Sequence, residues 1–154
     1  MSREPGGPVL CCPDNLPPAE FGFAGPLRDR LVAAILRGEK TSTTGLHEEY
    51  LREGASVEAV GSRELVVDSD GRGVAVIETT EVEVKRLGDV DLEFARDEGE
   101  GFRTLAEWRD AHVAFFTSPE MTRVLGEPPV AIDDDTLVVC TRFRLVERLD
   151  EPAG

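Results

Sequence analysis

Cysteine is scarce and badly placed for cross-linking: Cys11 and Cys12 are adjacent and Cys140 stands far away, a spacing that makes neither a disulfide framework nor a zinc site. Free thiols in a reducing compartment are expected, and no metal or other cofactor. Long apolar runs are missing as well. Nothing approaches the ~18 residues of a membrane span, and the opening MSREPGGPVLCCPDNLPPAE is broken by Pro and Gly before a signal-peptide core can form. These absences predict a soluble, cytoplasmic protein with no membrane partner. Positive charge is short: 17 Lys and Arg face 31 Asp and Glu, a net charge of -14. That balance repels phosphate backbones and removes the basic footprint of a general nucleic-acid binder, while leaving room for a local pocket that holds one nucleotide. Aromatic residues are few, with seven Phe, one Trp and one Tyr, so any that cluster are candidates for stacking on a base.

What is present suits one domain of 154 residues. Residues 1–20 are proline-rich and aperiodic and read as a flexible N-terminal arm; 21–149 form the domain and 150–154 a short tail. In PLRDRLVAAILRG, Pro26 occupies a first helical turn, Leu27, Leu31, Ala34 and Ile35 share a face, and Gly38 closes the helix. GEKTSTTG, residues 38–45, then reads as a turn, since Ser and Thr compete for backbone hydrogen bonds between two glycines. RELVVDSDGRGVAVIETTEVEVK is a hairpin reversing at Ser69–Gly73. Its second arm sets Ala75, Ile77 and Thr79 on one face and Val74, Val76 and Glu78 on the other. Thr104 and Glu107 have capping-box spacing, which starts a helix at Leu105, with Leu105, Trp108, His112 and Phe115 along one stripe. Alternation in TLVVCTRFRLVERL puts Leu137, Val139, Phe143 and Leu145 opposite Arg142 and Arg144 in a last long strand. The order predicts an α+β fold with a largely antiparallel sheet curling into a small β-barrel.

Lys40 is the sharpest chemical signal. Beside Thr41, Ser42, Thr43 and Thr44, a desolvated lysine amine suits the activation of a hydroxyl nucleophile; a solvated lysine complementing a helix C-terminus explains the same letters. In ARDEGEG, Asp97, Glu98 and Glu100 precede a helix, where negative charge is stabilising in any case. The functional reading has one of these carboxylates pairing with Lys40. His47 and His112 belong to no compact metal pattern. His112 and Trp108 on their apolar stripe read first as core, and second, with Phe115 and Phe116, as walls of a pocket that stacks a nucleobase.

In order, the helix, GEKTSTT, the hairpin, EFARDEGEG, TLAEWRDAHVAFF and the closing strand resemble the ASCH family over Phe21 to Val146, specifically its longer bacterial branch with the EGEG…WR…H…FF signature. The resemblance implies a PUA-like fold and a cleft that binds RNA or nucleotides. One branch of that family is an amidohydrolase removing the acetyl group of N4-acetylcytidine through a Lys, a Thr three residues later and a Glu, which carry over as Lys40, Thr43 and Glu98. Thr44, Tyr50, Glu100, Trp108 and His112 are then the substrate-binding candidates. A small nucleoside or nucleotide is the implied partner, RNA the second. The longer branch that this chain resembles holds a member that is a metal-dependent ribonuclease using Tyr, Lys and Ser; Tyr50 matches its tyrosine, but Glu58 and Ala59 stand where its lysine is expected. Arg142, Arg144 and Arg148 are the candidates for a phosphate-binding rim. If they flank the Lys40 cleft, a phosphate-bearing ligand is favoured; if they point elsewhere, a free nucleoside is.

Overall fold

The computed structural model describes residues 16–149; the first fifteen residues of the expected arm, Cys11 and Cys12 among them, and the tail 150–154 lie outside the described residues. The elements in chain order are β1 (Pro18–Ala19), α1 (Pro26–Arg37), β2 (Ser42–Leu46), α2 (His47–Glu53), β3 (Arg63–Val67), β4 (Gly73–Arg86), a 3-10 turn (Leu87–Asp89), α3 (Leu92–Asp97), α4 (Leu105–Phe116), α5 (Pro119–Leu125) and β5 (Leu137–Arg148). No helix among the described residues is long and apolar enough to cross a membrane.

The long strands β4 and β5 pair antiparallel along most of their length and form the spine of the sheet. β3 joins β4 through the expected hairpin, in which the Asp68 carboxylate accepts from the amides of Asp70 and Arg72. β2 pairs antiparallel with the far side of β5, and β1 adds two residues parallel to β3, giving the order β1-β3-β4-β5-β2. The expected barrel does not close. β1 and β2 are opposite edges of an open five-stranded sheet, and residues of both edges line one cavity. A two-residue β1 offers too few ladder bonds to zip onto β2. Pro18 and Ala19, assigned to the arm by their proline context, form this edge strand, a position that tolerates proline.

The hydroxyl string is a strand, not a turn. Ser42, Thr43 and Thr44 pair with Arg142, Thr141 and Cys140 of β5, and β-branched threonine fits a pleated ladder once a partner strand exists. Two apolar clusters cover the sheet. Leu31, Val32 and Ile35 of α1 pack with Phe21, Val66, Ala75, Ile77 and Phe143. Leu46, Val138 and Cys140 pack with Phe94, Ala95, Trp108, Phe116, Met121 and Leu125 of α3, α4 and α5. Each large side chain buried this way contributes ~1.5–3 kcal/mol. In α4 the buried stripe is Trp108, His112 and Phe116, while Leu105 is 40% exposed. It sits in the first turn of the helix, next to the Thr104 cap.

Candidate functional site

Helix α1 ends by the route its sequence dictates. Gly38 takes a left-handed φ of 82°, and the amides of Gly38, Glu39 and Lys40 return to the carbonyls of Ile35 and Ala34. Lys40 is thereby fixed at the joint between α1 and β2. The end of α3 is stitched to the same joint: the Thr41 amide donates to Asp97 O at 2.7 Å and the Ser42 hydroxyl to Phe94 O at 3.0 Å. Gly99, at φ 72°, lets this crossing happen, because a Cβ there would stand 2.8 Å from the backbone of Glu39 and Lys40. Arg142 of β5 holds the crossing from outside through Asp97 at 2.7 Å.

These contacts bury Lys40 and Glu98 together, each 2% exposed. The Lys40 ammonium lies 3.5 Å from Glu98 Oε1 and donates to Ser42 O at 2.8 Å and Glu98 O at 3.4 Å, three acceptors for three N–H groups. It also sits 5.7 Å from the centre of the Phe21 ring. Glu98 Oε2 accepts from the Thr44 hydroxyl at 2.7 Å and from Trp108 Nε1 at 2.9 Å, and His112 Nε2 lies 3.3 Å from the carboxylate. Burial pushes the Glu98 pKa up, but the Lys40 charge and the His112 and Thr44 hydrogen bonds outweigh it and hold the group at about 2. His112 Nδ1 meets the Trp108 carbonyl at 2.8 Å, so that nitrogen carries a proton. With an ionised carboxylate at Nε2, both ring nitrogens face acceptors. Burial lowers the His112 pKa, but these contacts prevail and raise it. The ring also stacks on Trp108, centroids 4.3 Å apart.

A cavity of about 720 Å³ opens over this pair, a size suited to a nucleoside-scale ligand. Lys40, Thr43, Thr44, Glu98, Glu100 and His112 line one stretch of its wall. Thr43 and Thr141 are cross-strand partners, and Thr79 pairs with Phe143 further along, so the sheet presents a row of hydroxyls to the cavity. Phe23 and Phe115, ring centres 5.5 Å apart, supply aromatic surface. A second stretch of wall is acidic, formed by Glu49, Tyr50 and Glu53 of α2, Glu58 of the loop that follows and Glu64 of β3. The Tyr50 hydroxyl donates to both Glu58 oxygens, at 2.9 and 3.0 Å. Burial and the Glu58 charge raise the Tyr50 pKa, and the same two causes push the Glu64 carboxyl up to about 7.

The domain's identity follows from this combination of fold and sequence. Residues 19–147 match the family model described as the ASCH domain. The chain belongs to the ASCH domain family. A solved ASCH domain from Lactobacillus crispatus JV V101 is 30% identical, with 85% of this chain and 79% of that one aligned at a TM-score of 0.74. A protein from Enterococcus faecalis V583 shares the fold at 24% identity and a TM-score of 0.76, over 90% of this chain and 85% of its own. No curated protein matches the chain significantly.

Within this ASCH domain the sequence-derived residues divide. Lys40, Glu98, Thr44 and His112 share one hydrogen-bonded cluster; Thr43 lines the same cavity on the face of Thr141. Trp108 does not line the cavity. Buried under His112, it reaches the site through its bond to Glu98, so it positions a carboxylate and stacks on no base. Glu100 stands on the wall 3.5 Å from Arg30, and Tyr50 lies on the acidic stretch, bonded to Glu58. Arg142 engages Asp97 and Glu81, Arg144 engages Glu78, and neither they nor Arg148 line the cavity.

Sequence spacing hid a potential ligand set: Glu98, Glu100 and His112 bring three ligand atoms within 4.8 Å of one another. Lys40 and His112 already neutralise Glu98 there, and a cation would have to displace those contacts. Phe21, Phe23, Glu64 and Thr79 were also missed, because nothing local marks a strand residue as facing a cavity.

Proposed function

We propose that this ASCH domain binds a nucleoside in the Lys40 cavity and hydrolyses an amide on its base, as in N4-acylated cytidines. The observation that carries the reading is the buried Lys40–Glu98 pair, set among strand hydroxyls at the wall of a nucleoside-sized cavity. Buried charges are costly to keep without a use or a strong partner. Lys40 works as the proton shuttle and Glu98 as its ionised anchor. With one proton given up to solvent, the Nζ amine takes the Thr43 hydroxyl proton and, as the ammonium so formed, gives it to the departing amine, while the Glu98 carboxylate stays charged and orients it. The Thr43 oxygen bonds to the acyl carbon, the C–N bond breaks, and cytidine leaves with its amine protonated by Lys40. Water then hydrolyses the Thr43 ester and restores the hydroxyl. Thr44, Trp108 and His112 hold Glu98 in register throughout.

A non-catalytic nucleotide-binding module is the second reading. It is favoured by the resting contacts, since Lys40 spends its donors on Ser42 O, Glu98 O and the Glu98 carboxylate. RNA as the ligand is disfavoured by the arginines of β5, which pair with Asp97, Glu81 and Glu78 away from the cavity. Release of cytidine from N4-acetylcytidine, followed by chromatography, separates the readings. Turnover by the wild type, lost in Lys40→Met, Thr43→Val and Glu98→Gln while each stays folded, supports the hydrolase. Binding of cytidine without turnover supports the module.

A further inference from the structure

A nucleoside whose acyl group reaches Thr43 extends toward the acidic stretch of the cavity wall, where, among the described residues, no cation pairs with the carboxylates. Among the described residues, none of Glu49, Glu53, Glu58 and Glu64 has a Lys, Arg or His partner. The Tyr50 hydroxyl on that stretch is committed to Glu58. Arg30, on the same cavity, is 62% exposed and lies 3.5 Å from Glu100. Crowding of negative charge is already felt within the wall, where burial and the Glu58 charge hold Glu64 partly protonated near neutrality. Glu49 is raised for the same reasons, burial first and then its neighbour Glu53. A phosphate placed here meets uncompensated carboxylates at reduced dielectric.

We propose that the wall of Glu58 and Glu64 makes the cavity select by charge, admitting a nucleoside without phosphate and refusing the same nucleoside bearing a 5′-phosphate. The proposal rests on the reading of the cavity as a nucleoside site and names the form of ligand it takes. No step of the chemistry at Lys40 demands this selectivity. It comes from residues of α2 and β3 and the loop between them, so it is removable without touching the Lys40 pair.

The test compares N4-acetylcytidine with its 5′-monophosphate in the wild type and in Glu58→Gln/Glu64→Gln, by initial rates and by calorimetric binding. A single Glu64→Gln protein serves if circular dichroism shows the double variant unfolded. The wild type is expected to favour the nucleoside at least about tenfold, with the gap narrowing in the variant and at raised salt. Equal use of the two forms by the wild type, or preference for the phosphorylated one, overturns the selectivity and leaves the hydrolase standing. Absence of both turnover and binding for either form overturns the nucleoside reading instead. Inorganic phosphate then decides the selectivity alone, followed through the ring signals of Tyr50, the sole tyrosine of the chain. Signals unmoved in the wild type and shifted in the variant uphold charge selection by this wall. A shift in the wild type, or none in either protein, overturns it.

Discussion

Two stretches of one cavity wall carry buried glutamates and treat them in opposite ways. Glu98 is the more deeply buried, yet its pKa falls to about 2; Glu64 is half-buried, yet its pKa rises to about 7. Depth therefore does not decide the charge. Burial raises both groups, and the difference lies in what surrounds them: an ammonium, an imidazole, an indole N–H and a hydroxyl around Glu98, against a second carboxylate beside Glu64. The first arrangement stores an ion pair ready to move a proton, and the second repels anions.

The contrast is broken most severely by Lys40→Met, which leaves Glu98 buried without its ammonium. Urea denaturation should show a loss of about 3–5 kcal/mol, the usual penalty for orphaning a buried charge. An unchanged midpoint would mean that the pair is more hydrated than its burial implies. Acid acts on the same group more gradually. Because the folded pKa of Glu98 is depressed, its stabilising contribution is complete above an unfolded value of ~4.3 and is lost as pH falls toward 2.

Glu64 shows the opposite sign. Its raised pKa means that the folded state loses stability as pH climbs from ~4.3 to 7, with the full penalty above 7. Glu64→Gln should therefore stabilise the protein at pH ~8, by about 1 kcal/mol after solvent screening, and by nothing measurable at pH ~4. Equal effects at both pH values would assign the change to packing.

The finest discrimination is between neighbouring threonines. Thr44→Val removes a hydroxyl bonded to Glu98 and should cost about 1 kcal/mol in thermal or urea unfolding. Thr43→Val should change stability by less than about 0.5 kcal/mol while abolishing hydrolysis. Reversed roles, with turnover surviving in Thr43→Val and lost in Thr44→Val, would move the nucleophile by one residue.

Periodicity made α1, the β3–β4 hairpin, the Thr104 start of α4 and the long β5 legible from the letters, since each spans enough residues for a face to repeat. The helices α2, α3 and α5, six or seven residues each, are too short to show a period, although Asp91 and the Ser118-Pro119 start carry capping chemistry that marks two of them. β2 was hidden for another reason: Thr-Ser-Thr-Thr has local turn chemistry, and only pairing with β5 makes it a strand. Openness of the sheet was equally non-local, fixed by the two-residue length of β1. At the site, charge complementarity paired Lys40 with one carboxylate among Asp97, Glu98 and Glu100, and the family resemblance singled out Glu98. Nothing in the sequence sets Glu58 against Glu64, or turns Phe21 toward Lys40 and Phe23 toward Phe115, because those approaches depend on strand register and on the path of the chain before α1.

The most direct test is a pH titration of the glutamate side-chain carboxyl carbons by ¹³C NMR, with Glu98→Gln and Glu64→Gln used to assign the two signals. A Glu98 signal that stays ionised to the acid limit of folding, together with a Glu64 midpoint near 7, is the predicted result. Two midpoints together near the ordinary ~4.3 of a glutamate would contradict it, and with it the view that this cavity keeps one carboxylate charged for chemistry and crowds another to turn anions away.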